Sequence, residues 1–160
     1  MTSPKIEDYI LPPQILLGVS TTFRGALEED ANYETAVPAL WRQLDDIVSA
    51  NDLQPLRRVG LMSLTETLGV MRYDACIPTT VECPGLSPIS FPGGRYICVE
   101  HEGLLSDLAT TVRWFYGEYL PTSSYEVVDG YHVELYDPRF NPTSPASIMT
   151  IGAPYRVGGS

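Results

Sequence analysis

Apolar positions along the chain change period in an order that spells out elements. Ile15, Leu17, Val19 and Phe23 keep one side of a two-residue alternation, which predicts a strand following Pro12-Pro13. Val37, Leu40, Trp41, Leu44, Ile47 and Val48 then recur at helical spacing. Asn32 or Thr35 is available to cap that helix, and Pro38 is tolerable only within its first turn. Residues 57–64 and 71–79 read as two strands of a hairpin around Gly69. Residues 82–94, with Pro84-Gly85, Pro88 and Pro92-Gly93-Gly94, read as a connection to a further strand over 95–101. A second helix is predicted from about Ser106, carrying Leu108, Val112, Phe115, Tyr116 and Tyr119 on one face and stopped by Pro121. Strands over 131–137 and 147–155 complete the pattern.

The order is strand-helix-strand-strand, given twice, and each helix carries a tryptophan, Trp41 and Trp114. The expected fold is therefore α+β. The tandem repeat forms one antiparallel sheet with two helices on one face and a ligand cleft on the other. A single domain is expected over residues 1–160, with repeats at about 14–80 and 87–157, and its elements leave no room for a DNA-binding domain.

Composition narrows the partners. Ten Lys and Arg against twenty Asp and Glu leave a formal charge of −10, and no basic run exceeds Arg57-Arg58, which argues against direct nucleic-acid binding. An acidic field favours cationic ligands, although solubility explains it equally well. Cys76, Cys83 and Cys98 form no paired motif, so neither a disulfide framework nor a metal site is expected, and reduced thiols fit a cytoplasmic protein. Met1-Thr2-Ser3-Pro4-Lys5 lacks an apolar leader and no segment has the length of a membrane span, so neither export nor a membrane partner is expected. No cofactor is expected: Pro92-Gly93-Gly94 leads into a strand and lacks the spacing of a phosphate loop.

The chemistry concentrates in Tyr131-His132-Val133-Glu134-Leu135-Tyr136-Asp137. Alternation separates Val133 and Leu135 from His132, Glu134 and Tyr136, and the apolar pair is expected against the helices, leaving Glu134 on the open face. An exposed carboxylate there would be unremarkable in itself; the ten tyrosines of the chain favour an aromatic cage around it. Most tyrosines belong in a core, Tyr116 among them, whereas Tyr73 and Tyr136 on strands are better pocket candidates. Cys76 reads as a small buried residue shaping the pocket, and His101 and His132, without a triad partner at motif spacing, read as structural.

Several stretches together resemble one family: Leu17-Gly18-Val19-Ser20, Arg72-Tyr73-Asp74-Ala75-Cys76-Ile77-Pro78, Phe91-Pro92-Gly93-Gly94-Arg95-Tyr96, His101-Glu102-Gly103, Trp114-Phe115-Tyr116-Gly117-Glu118-Tyr119-Leu120-Pro121 and Val133-Glu134-Leu135-Tyr136. In this order they are similar to the GyrI-like small-molecule-binding family, which includes effector-binding domains of AraC-type transcription regulators and relatives of the ligand domain of MerR-type multidrug regulators. The resemblance implies a cleft for lipophilic, often cationic compounds. It places the family's cleft glutamate at Glu134 and an aromatic lining at Tyr73, Trp114 and Tyr136, with Tyr119 where relatives commonly have Trp. Three functions follow as expectations: binding of a hydrophobic or cationic small molecule, hydrolysis of strained cyclopropane-type genotoxins with Glu134 activating water, or a protein interaction with gyrase or a regulator. Binding is the favoured reading, and whether the chain is an enzyme stays open.

Overall fold

A computed structural model describes residues 4–25 and 28–157. Met1, Thr2 and Ser3, part of the stretch from which export was argued against, lie outside them. The elements are β1 (Ile6–Leu11), β2 (Gln14–Arg24), α1 (Tyr33–Ala50), β3 (Arg58–Leu64), β4 (Val70–Ile77), β5 (Ser87–Phe91), β6 (Gly94–Glu102), α2 (Leu108–Trp114), β7 (Tyr125–Val127), β8 (His132–Tyr136) and β9 (Ile148–Val157). The α+β class and the doubled strand-helix-strand-strand order are as expected. The chain divides into two compact units: an α1 unit, Gln14–Phe91, and an α2 unit, Met1–Pro13 with Pro92–Ser160.

In the α1 unit, β4 pairs antiparallel with both β3 and β2, and β2 also pairs with β5. Residues directly opposite each other in an antiparallel pair share a face, so Phe23, Tyr73, Ala75 and Ile77 fall on the side that receives α1. Val37, Leu40, Leu44 and Val48 of the helix complete that core at the spacing read from the sequence. Pro38 differs from expectation: it lies in the second turn of α1. It is exposed, so the Glu34 carbonyl, deprived of its usual N–H partner, can turn to water and the helix runs on. Asn32 stands at the cap position, but its side chain accepts the Arg24 N–H at 2.6 Å instead of capping.

In the α2 unit, β6 pairs with β1 and β9, and β9 pairs with β8 and, at its far end, β7. Ile97, Val99, Met149, Ile151, Ala153 and Tyr155 form the core with Phe115 and Leu120. The second helix is not one uniform rod. A 3-10 turn at Leu105–Asp107 leads into α2, and a wider π turn at Phe115–Tyr119 and a 3-10 turn at Leu120–Thr122 follow it. Such widened turns recur at functional sites because they re-aim side chains.

Three strands went unread in the sequence, and each is an edge or very short. β1 carries charges and half-buried positions, β5 contains Pro88, and β7 has three residues. They exchange places: β1 precedes β2 yet pairs with β6, while β5 precedes β6 yet pairs with β2. Gly93 makes one of the connections possible. Its φ is 70°, and a Cβ there would stand 2.4 Å from the Leu11 carbonyl oxygen.

Leu44 is fully buried under α1 and Leu68 is 95% exposed. Leu44→Ala should cost about 2–5 kcal/mol in a urea melt and Leu68→Ala less than about 0.5 kcal/mol. Equal midpoints for the two variants would contradict the placement of α1.

Candidate functional site

Register decides where Glu134 points. It stands opposite Ile151, which stands opposite Val99, and both of these belong to the core that packs with α2 and its π turn. Val133 forms the alternate row with Gly152 and Cys98, and a Cβ on Gly152 would meet Val133 Cγ2 and Cys98 Sγ at 2.8 Å each. The sequence-based orientation is thus reversed: His132, Glu134 and Tyr136 face the helical side, and Val133 and Leu135 face away. The reason is that both faces of this sheet are covered. Val133 is only 1% exposed, so alternation separates the two rows without saying which one meets the helix.

Glu134 is 7% exposed. Tyr136 Oη donates to its Oε1 at 3.2 Å, and the Tyr136 ring meets Phe140 edge-on at 4.8 Å. From the π turn, Tyr116 reaches His132, with Oη and Nδ1 2.7 Å apart. Burial pushes the Tyr116 phenol well above its ordinary value, and the Glu134 carboxylate adds to the rise, which places that charge within the phenol's field. Burial alone lowers His132 below the ordinary imidazole value. Tyr116 and His132 are thus the functional candidates that pattern reasoning passed over. The available signal was His132 at two residues before Glu134, on the same strand face.

The other expected residues are placed differently. Trp114 and Tyr119 lie against each other at 5.4 Å, Tyr119 stacks on Phe115 at 6.1 Å, and all three pack into the α2 core. Tyr73 and Cys76 belong to the α1 unit and are fully buried on opposite faces of β4. Tyr73 accepts the Trp41 indole N–H at 3.1 Å in the core beneath α1. Burial, with help from the Asp74 charge, raises the Cys76 thiol far above its ordinary value. Asp74, fully buried on the Cys76 side, accepts hydrogen bonds on Oδ1 from Ser20 and, at 3.0 Å, from Arg72 Nε; its Oδ2 has no partner among the described atoms. His101 has a structural place, Nε2 donating to the Leu104 carbonyl at 2.9 Å and Nδ1 paired with the Thr111 hydroxyl at 2.7 Å. Among the described residues no group of three or more His, Cys, Asp or Glu could hold a metal ion, and no helix is long and apolar enough to cross a membrane.

The family model for GyrI-like small-molecule-binding domains matches residues 4–151. The chain belongs to this family. No curated protein matches it. Among solved structures this GyrI-like domain is similar to SAV2435 bound to tetraphenylphosphonium, at 16% identity and a TM-score of 0.71, covering 97% of this chain and 94% of that one. It is similar also to the EcmrR C-terminal domain, at 13% identity and a TM-score of 0.67, covering 98% and 99%. A hydrolase encoded by lin2189 from Listeria innocua matches at 16% identity and a TM-score of 0.52, covering 95% and 92%. At these identities the likeness is one of fold.

Two outcomes follow from this geometry. Cys76, Cys83 and Cys98 are all buried, and burial pushes Cys98 up to about 12, so a thiol reagent at neutral pH should titrate none of them before denaturant is added. Because the folded state depresses His132, the stability tied to its neutral form is complete above about pH 6.5 and is lost as pH falls toward the depressed folded-state value. In melts across that range, His132→Gln should lose less stability on acidification than the parent; a parallel loss would exclude the effect.

Proposed function

We propose that this domain binds lipophilic organic cations, with Glu134 as the charge partner and Tyr136 and Tyr116 as the aromatic groups beside it. The observation that carries the reading is a carboxylate 7% exposed in the apolar, helix-facing row of the α2 unit. A carboxylate withdrawn from water is costly unless its charge is compensated. A tyrosine hydroxyl offsets part of that cost. An organic cation supplies the opposite charge and tolerates the apolar surroundings, and ring faces add cation–π attraction. The formal charge of −10 favours the encounter. Support from outside the chain is the similar fold of SAV2435, bound to tetraphenylphosphonium. Trp114 and Tyr119 extend the aromatic surface around the π turn, and Tyr73 and Cys76 bear on the reading through the packing of the α1 unit.

Tetraphenylphosphonium and ethidium are suitable probes. Calorimetric titration should give saturable binding of at least one of them, weakened about tenfold or more by Glu134→Gln. Unchanged affinity for both would remove the carboxylate from the function.

The similarity to a Listeria innocua hydrolase sustains a second reading, in which Glu134 acts as general base toward water attacking a strained electrophile. Turnover separates the two. Product formed in excess of protein and abolished by Glu134→Gln would establish hydrolysis, and stoichiometric retention of intact ligand would establish binding.

A further inference from the structure

Glu134 is 7% exposed, and the surface next to it has a definite shape. On the α2 unit an open groove of about 650 Å³ runs between the turns after α2 and strands β7 and β8. Its walls include apolar carbon from Leu120, Pro121, Tyr125 and Val127, and Tyr116 and His132 also line it. Pro121, Ser124 and Val127 are exposed, whereas Tyr116 and His132 are half-buried, so the pair stands at the inner end. Glu134 is the next residue after His132 on the same face of β8, and it acts on Tyr116 through its charge, but it does not line the groove. A ligand lying in the groove therefore meets Tyr116 and His132, whose Oη and Nδ1 are 2.7 Å apart, beside the strand position of the carboxylate.

We infer that this groove holds the apolar body of the ligand and that the Tyr116–His132 hydrogen bond is the gate through which the ligand's positive centre reaches Glu134. The inference rests on the cation-binding reading. The groove has the volume of a site for a drug-sized molecule. Its charged lining residue, Glu126, is acidic and is paired with Arg156 at 2.7 Å on the exposed rim, so the inner part is left to aromatic and aliphatic contacts. The π turn suits Tyr116 to the gate role. Tyr116 lies beyond the last residue of α2, Trp114, so its side chain can leave His132 without unwinding that helix. When the bond opens, the phenol and imidazole need new partners, and the cost of that exchange sets the rate at which ligand arrives.

Blocking the groove tests its use. Ser124 lies on the exposed wall and all three native cysteines are buried, so Ser124→Cys provides an accessible thiol that a bulky aryl maleimide caps selectively. Comparing capped with uncapped Ser124→Cys, ethidium affinity should fall about tenfold or more, and saturating ethidium should slow the capping reaction. Stopped-flow fluorescence should show Tyr116→Phe taking up ethidium several-fold faster than the parent, because the gate bond is gone. Capping that alters neither affinity nor protection overturns the groove assignment, and an unchanged association rate in Tyr116→Phe overturns the gate. Glu134→Gln keeps the two levels apart. Lost affinity in Glu134→Gln with silent capping sinks the groove and leaves the carboxylate reading standing, whereas sensitive capping with an unaffected Glu134→Gln sinks the carboxylate reading.

Discussion

A carboxylate in an apolar row of a sheet constrains everything around it. Glu134 sits in line with Ile151 and Val99, where a leucine or valine would cost nothing to bury, and its charge must be answered locally. Tyr136 answers part of it through a hydrogen bond two residues along the same strand. The π turn brings Tyr116 near enough to feel the charge while the phenol is tied to His132. The position of the candidate site and its aromatic surroundings are built around that one buried acid.

The α1 unit carries a second buried acid and handles it differently. Asp74 lies on the face of β4 away from α1 and draws Ser20 and the half-exposed Arg72 onto a single oxygen. A guanidinium already compensates that charge. Glu134 accepts a hydrogen bond from the Tyr136 hydroxyl, and Tyr116 lies within the field of its charge. Each unit thus buries one acid, Asp74 beside a guanidinium and Glu134 beside a tyrosine hydroxyl.

Much of the fold was legible because its signals are local. The helical spacing of Val37, Leu40, Leu44 and Val48, and the alternation in β2, required no knowledge of partners. The edge strands were not legible. β1 and β5 gain their hydrogen bonds from strands far away in sequence, and Pro88 reads as a breaker wherever an edge is not already suspected. At the site, Glu134 and Tyr136 were legible as a pair on one strand face. Tyr116 was not, because a tyrosine on an apolar helix face looks like core until its hydroxyl partner is known.

By itself the sequence determined the doubled strand-helix-strand-strand order, the two helices and the membership of His132, Glu134 and Tyr136 in one row, since the two-residue period of a strand follows from backbone geometry alone. Only the tertiary structure decided that this row faces α2. Both faces of the α2 unit's sheet are buried, and a period has no sign until a helix packs against one side. The π turn and the Tyr116–His132 contact were decided at the same level, by the fit between helix and strand, which no local pattern encodes.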